Sequence, residues 1–398
     1  MSGSMRLSQR VNQIKESATL AVTARAAEMR QSGIDVLGFG AGEPDFDTPA
    51  HIIAACKQAL DAGHTRYAKP THGIPEARAA VCEKLRRDNG LNYKPDQVII
   101  TVGAKEALFL AFAALIDPGD EVILPVPYWV SFPEQVSFCG GRVVTILGDE
   151  AGGLRISPRQ LADAITPRTR VVLFNSPSNP GGFAYSPEET RALAAVLSGK
   201  DLIVFSDEMY DCLRFGDRRE HLSFAAISDE WYAKTITFNA ASKSHAMTGW
   251  RVGYAAGPQE IIKAMARIQS HTTSGTATFI HHALVEALVG DQSHVETMRQ
   301  EFERRGRRMY ARLCAMQGVT CVRPDGAFYC FPNVTGAFAR LGVTNSGEFC
   351  KKVLEQAHVA LVPGDAFGMD SHVRLSFATD PKTIEEGLDR LEKLLGRR

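Results

Sequence analysis

The chain has 398 residues, 44% of them apolar, enough to bury a sizeable core and to form two domains. Lysine plus arginine number 45, as do aspartate plus glutamate, and this balance excludes a strong electrostatic footing for nucleic acid or a membrane surface. The longest apolar run, Ala107 to Ile116, is too short to span a bilayer and reads as a buried helix.

No charged-then-apolar secretion signal opens the chain, and Met1-Ser2-Gly3-Ser4 ahead of Met5 reads as an expression-tag remnant. An amphipathic helix is expected over Ala18–Arg30, followed by the loop Gly40-Ala-Gly-Glu-Pro-Asp-Phe-Asp-Thr-Pro49. Short β-branched runs then follow at Gln97–Val102, Glu121–Pro125, Arg142–Leu147, Arg170–Phe174, Leu202–Ser206, Thr235–Asn239 and Arg251–Ala255. Helical stretches such as Lys105–Ile116 and Pro187–Leu197 lie between several of them. Apolar strands separated by helices predict an α/β domain, a mostly parallel seven-stranded sheet covered on both faces. A long charged helix over His294–Met316 leads into a smaller α+β region, with strands at Ala327–Phe331, His358–Val362 and His372–Phe377. The resulting division is an arm at residues 1–49 that joins part of the small domain, a large domain at 50–290 and a small domain at 291–398. The eight cysteines are scattered without Cys-x-x-Cys or His-Glu-x-x-His, which points to reduced core thiols in a cytoplasmic protein and to no metal site.

In open α/β sheets, ligands sit at the carboxyl ends of strands. The unusual residues of this chain fall there. Gly103-Ala104-Lys105 opens a helix after one strand, where free backbone N–H groups and a helix dipole favour a phosphate. Pro127-Tyr128-Trp129, Asn175-Ser-Pro-Ser-Asn179-Pro-Gly-Gly182, Asp207-Glu208-Met209-Tyr210 and Ala241-Ser242-Lys243 follow four others, with Arg251 soon after. Together they could serve a phosphorylated aromatic cation. Arg251 and Ser242 suit the phosphate, Trp129 a ring face, and Asp207 a protonated ring nitrogen. Asn179 and Tyr210 suit a phenolate oxygen, and Lys243 supplies an amine. Each signal alone has a plainer reading: a tight turn, a helix cap, a core tryptophan, a solvated lysine.

The constellation resembles the class I/II pyridoxal-phosphate-dependent aminotransferases of fold type I, in the bacterial aspartate aminotransferase branch. The resemblance runs from Ser17-Ala-Thr19 to Arg374. It rests on Ala41–Pro49, Tyr128-Trp129, Asn175-Ser-Pro-x-Asn179-Pro, Asp207-Glu208, Ser242-Lys243-Ser-His-Ala-Met-Thr-Gly-Trp-Arg251-Val-Gly and Val373-Arg374-Leu-Ser-Phe. It implies that Lys243 carries pyridoxal 5'-phosphate as a Schiff base and shuttles the substrate's α-proton. Asp207 would pair with the ring nitrogen, Tyr210 and Asn179 with the ring hydroxyl, and Trp129 with the ring face. Gly103, Ala104, Ser242 and Arg251 would hold the phosphate, with Lys105 beside them. Tyr67 would reach a neighbouring subunit's phosphate, making the enzyme a homodimer. Arg374 would clamp the substrate α-carboxylate beside the Gly42 backbone, a two-pronged geometry lysine cannot supply.

Two positions depart from the pattern: Ala240 stands where many relatives place a phosphate-binding serine, and Gly181 replaces a usual threonine. The residue matching Lys105 is thought to meet the distal carboxylate of aspartate or glutamate, with Thr19 assisting. No arginine occurs in Gln269–Thr278, where the rival acidic-substrate design keeps one. Aspartate with 2-oxoglutarate, exchanged by ping-pong kinetics, is therefore the expected pair. Aromatic amino acids or prephenate and a β-lyase activity are the alternatives. A regulator carrying a DNA-binding domain would need more chain before Gly40. A nicotinamide enzyme is rejected because Gly38-Phe-Gly40-Ala-Gly42 is followed by Glu43, which breaks the Gly-x-Gly-x-x-Gly pattern.

Overall fold

The computed structural model describes residues 6–397; the Met1–Ser4 stretch lies outside the described residues. Twelve strands occur among these residues. They are β1 (Leu37–Gly38), β2 (Val98–Thr101), β3 (Glu121–Val126), β4 (Arg142–Leu147), β5 (Thr169–Asn175) and β6 (Ile203–Asp207), then β7 (Thr235–Asn239), β8 (Gly253–Ala256), β9 (Tyr329–Cys330), β10 (Val359–Ala360), β11 (Val362–Pro363) and β12 (Val373–Ser376). Seven form one sheet in the order β2-β8-β7-β6-β5-β3-β4. Every neighbour pair in it is parallel except those made by β8.

Apart from the edge strand β4, which is largely exposed, the sheet is buried on both faces, and alternate residues serve opposite layers. Val98 and Ile100 pack with Val81, Leu85 and Leu284, from helices Pro75–Asn89 and Thr278–Val289. Ile99 turns to the other side with Leu108, Phe112 and Ile262, from helices Ala104–Leu115 and Gln259–Ser270. A second core gathers Phe302, Phe328, Phe349, Phe377 and Leu388 around the antiparallel set β11-β12-β9 and helix Ser293–Cys314. Phe39 joins that core, and β1 pairs with β10, so the N-terminal arm is tied to the C-terminal strands. No described helix is long and apolar enough to cross a membrane.

Several boundaries differ from expectation for local reasons. The run expected at Arg251–Ala255 becomes strand only at Gly253, because Arg251 takes a left-handed turn at φ 53°. The run at Ala327–Phe331 shrinks to Tyr329–Cys330 behind Ala327, which sits at φ 57°. His358–Val362 is split between two sheets. His358 ends the preceding helix in a left-handed cap, and β10 and β11 then pair with different partners. The helix over Ala18–Gln31 is not the amphipathic element expected: only Ala26 is fully buried.

Behind β6 lies a buried polar cluster. Lys84 is paired with Asp211 and donates to Asn89 Oδ1 at 2.7 Å. Glu208 accepts from Asn89, Ser223 and Ser206 and meets His221 at 2.8 Å. Glu208, Asp211 and His221 come within metal-ligand reach of one another, yet their oxygens and nitrogen are already taken by these partners. The cluster holds the turn after β6, where Asp207 and Tyr210 sit. Removing one member of a buried ion pair costs about 3–5 kcal/mol, because the other charge is stranded. Lys84→Met is therefore expected to lower the urea midpoint sharply, and Lys84→Met with Asp211→Leu to recover part of the loss. A single variant as stable as the parent would show that the pair contributes nothing.

Candidate active site

The parallel strands β2, β3, β5, β6 and β7 end at one edge of the large sheet, and the antiparallel β8 begins there, just after Arg251. A cavity of about 310 Å³ opens at this edge. Its walls come from both cores: the β2, β6 and β7 turns on one side, Tyr329 and Arg374 of β9 and β12 on the other.

Four cations line this cavity, Lys105, Lys243, Arg251 and Arg374, against a single carboxylate, Asp207. No protein carboxylate is ion-paired with any of the four among the described residues, although the chain forms many ion pairs elsewhere. Arg374 is only 2% exposed. It donates to Asn179 Oδ1 at 2.9 Å and to Gly40 O at 2.8 Å, and its guanidinium lies 4.6 Å from the Tyr329 ring centre and 5.1 Å from that of Phe367. Its Nε is buried without a partner. Burial lowers its pKa. A guanidinium held only by neutral groups is one anion short.

Arg251 stands against the start of helix Ala104–Leu115. Gly103 has φ 75°, and a Cβ there would lie 2.6 Å from Arg251 Nη2, so only glycine lets the guanidinium approach. A Cβ at Gly253 would come within 2.3 Å of Ala104 N. Ser242 is buried one residue before Lys243 and faces the same space. Backbone N–H groups at a helix start, a guanidinium and a hydroxyl make an anion cradle. Ala240 is buried and lies outside the cavity lining.

Lys243 donates to Gly42 O and lies 5.9 Å from the Phe328 ring centre. Burial, with Arg374, Arg251 and Lys105 adding to it against Glu43, lowers its pKa to about 8. Asp207 is buried at the end of β6, and burial raises its pKa to about 7 despite the Met209 N–H it accepts. Such a carboxylate, facing a cavity without a cationic partner of its own, suits a protonated ring nitrogen. The Tyr210 hydroxyl is 3.0 Å from that of Tyr329. Trp129 packs edge-on against Phe132, and Lys105 Nζ lies 4.9 Å from its ring centre. The loop before Pro49 is latched over the site: Thr248 donates to Glu43 and Thr48 to Ala246 O.

Thus Lys243, Asp207, Tyr210, Gly103, Ala104, Lys105, Trp129, Asn179, Ser242, Arg251, Gly42, Arg374 and Thr19 all line one cavity. Tyr67 does not: it is 79% exposed and outside this lining. Gly181 leaves room for Phe183, whose ring a Cβ would meet at 2.5 Å. Tyr329 and Thr248 also line the cavity and are additions made by the structure. Tyr329 lay inside an expected strand, and nothing in the sequence singled it out. The residues Thr248-Gly-Trp lay within the lysine motif but suggested no contact of their own.

The family described as aminotransferase class I and II matches residues 34–391. The chain is 48% identical to an aspartate aminotransferase of Geobacillus stearothermophilus, over 99% of this chain and 100% of that one. It is 44% identical to an aspartate/prephenate aminotransferase of Cereibacter sphaeroides, over 97% and 98%. Among solved structures, the aspartate aminotransferase of Rhizobium meliloti superposes with a TM-score of 0.94 at 41% identity, covering 99% of this chain and 100% of that one. The Thermus thermophilus aspartate aminotransferase with maleate gives 0.92 at 43%, covering 98% and 100%.

The Asp207 shift has a stability consequence in cofactor-free protein. Between pH 3.8 and about 7 the folded chain keeps a proton that the unfolded chain releases. Folding stability contributed by this group therefore falls as pH rises through that window. Denaturant melts across it are expected to show a downward slope that Asp207→Asn flattens; equal slopes would remove Asp207 as its source.

Proposed function

Because the chain belongs to the class I and II aminotransferases, we propose that it moves the amino group of a dicarboxylic L-amino acid, aspartate first, to a 2-oxo acid such as 2-oxoglutarate, with pyridoxal 5'-phosphate as cofactor. The observation that carries this reading is the charge of the cavity, four unpaired cations facing one carboxylate. A phosphate and two substrate carboxylates are the anions such a surplus calls for.

Gly103, Ala104, Ser242 and Arg251 would hold the phosphate, and Asp207 the ring nitrogen. Tyr210 and Asn179 would meet the ring hydroxyl, and Trp129 the ring face. The cofactor, when bound, supplies an aldehyde that condenses with amines and a ring that accepts electron density from the substrate α-carbon. Lys243 does the proton work. With its pKa lowered to about 8, a useful fraction of its amine is neutral near pH 7, able to take the substrate α-proton and deliver it to the former aldehyde carbon of the cofactor. Arg374 fixes the α-carboxylate with its free edge while Asn179 and Gly40 hold the rest of the guanidinium. This orients the α-carbon toward Lys243.

Lys105, with Thr19 near it, is the cation left for a distal carboxylate. Burial and Arg251 lower its pKa, and an incoming carboxylate would relieve both. Tyr67, exposed and outside its own cavity, would serve the phosphate of a partner subunit in a homodimer. The aspartate/prephenate names among the relatives favour prephenate as a further amino acceptor.

Lys105→Ala is expected to lower kcat/KM for aspartate and glutamate roughly tenfold to a hundredfold, as for loss of one charge-assisted hydrogen bond, while the cofactor absorbance persists. Rates with an apolar amino acid should hold. A half-reaction screen that follows the cofactor absorbance tests the substrate class directly. If aspartate and glutamate leave it unchanged while an aromatic amino acid bleaches it, the acidic-substrate reading fails. Arg374→Lys keeps the charge but loses the fork, and should cost every amino acid about a hundredfold in kcat/KM.

A further inference from the structure

Tyr329 has no role in the resemblance, yet it sits between two groups that do. It is fully buried on β9. It pairs with Ser376 of β12, which puts it two positions from Arg374 on the neighbouring strand and on the same face. Its ring centre lies 4.6 Å from the Arg374 guanidinium, and its hydroxyl 3.0 Å from that of Tyr210. The Gly42 loop packs on that hydroxyl: a Cβ at Gly42 would stand 3.3 Å from it. One rigid ring thus touches the residue proposed for the substrate carboxylate and the residue proposed for the cofactor's ring hydroxyl.

We propose, resting on the functional reading above, that Tyr329 is a positioning residue that relays the pairing of Arg374 with a carboxylate to the Tyr210 phenol. Burial raises the pKa of both phenols, Tyr210 further, and Arg374 draws both down. Either hydroxyl of the pair can donate, and in the proposed relay Tyr329, whose ring lies on the guanidinium, is the donor. By donating to Tyr210 it frees the Tyr210 proton to be offered to the ring hydroxyl oxygen, and chained hydrogen bonds strengthen one another. A carboxylate seated on Arg374 cancels the field that makes Tyr329 a good donor. Substrate arrival therefore weakens Tyr210's hold on negative charge at the ring oxygen, and the cofactor's proton affinity rises as the amino acid binds. No covalent step is involved. The device is a change in donor strength along one chain of hydroxyls.

Tyr329→Phe removes one oxygen and keeps the ring under the guanidinium, so packing is preserved. The test titrates the cofactor absorbance of the holoenzyme from about pH 5 to about pH 10, with and without saturating succinate, a dicarboxylate that has no amine to transfer. In the parent, succinate should raise the spectral pKa. In Tyr329→Phe the ligand-free value should already be raised by roughly 0.5 to 1 unit, the worth of one hydrogen bond, and the succinate shift should shrink. A purely structural role would change succinate affinity without touching either value. A second comparison uses Tyr210→Phe as background: there Tyr329→Phe should add nothing, since the relay has lost its far end. Tyr329→Phe matching the parent in both spectral values, or acting undiminished on Tyr210→Phe, overturns the inference while leaving the aminotransferase reading intact. A parent holoenzyme whose absorbance ignores every amino acid would overturn both.

Discussion

Among the described residues, four cationic side chains share one cavity without an ion-pairing protein acid, and the rest of the molecule is arranged around keeping them so. Like charges in a partly desolvated space repel strongly, and each would gain by finding a carboxylate. The fold prevents that with neutral ligands. Arg374 is held by a side-chain amide, a backbone carbonyl and two aromatic faces, Lys243 by the Gly42 carbonyl, and Lys105 by the face of Trp129. These contacts orient the cations without neutralising them, and the unmet demand for anions is what a phosphorylated cofactor and a dicarboxylic substrate would satisfy.

On the far side of β6 the opposite strategy is used. Lys84 faces Asp211, and Glu208 is surrounded by His221, Asn89, Ser223 and Ser206, so every buried charge there has a partner. That satisfied cluster anchors the turn on which Asp207 and Tyr210 stand. Asp207, one residue from Glu208, is left out of it and faces the cavity. Adjacent carboxylates on one strand end thus receive opposite environments. Burial raises the Asp207 pKa to about 7, while Glu208, though equally subject to desolvation, is brought below its usual range by His221 and Ser223. The unpaired acid is the one available to a protonated ring nitrogen.

The cavity also explains why two cores are needed. Phosphate-side groups come from the turns of the large sheet, whereas Arg374 and Tyr329 come from β12 and β9. The latch from Thr248 to Glu43 and from Thr48 to Ala246 carries the Gly42 loop across the gap, so that substrate-side and cofactor-side groups meet.

Much of this was legible in the amino-acid order. Strand runs such as Arg142–Leu147 and Thr235–Asn239 were readable to the residue because both are rich in β-branched side chains, which favour extended backbone. Residues at strand ends, Asp207, Asn179 and Ser242-Lys243 among them, could be grouped because an α/β sheet brings its carboxyl ends to one edge. The short strands of the second core were blurred, since backbone turns at Ala327 and His358 leave no compositional mark. Tertiary structure alone decided three things. It showed that Arg374 lacks an acid partner, which depends on every neighbour and not on its strand. It gave Asp207 and Glu208 different fates, though both follow the same run. And it set Tyr329 between Arg374 and Tyr210, because a ring in an apolar strand reads as core until the register of β9 against β12 aims it at a guanidinium.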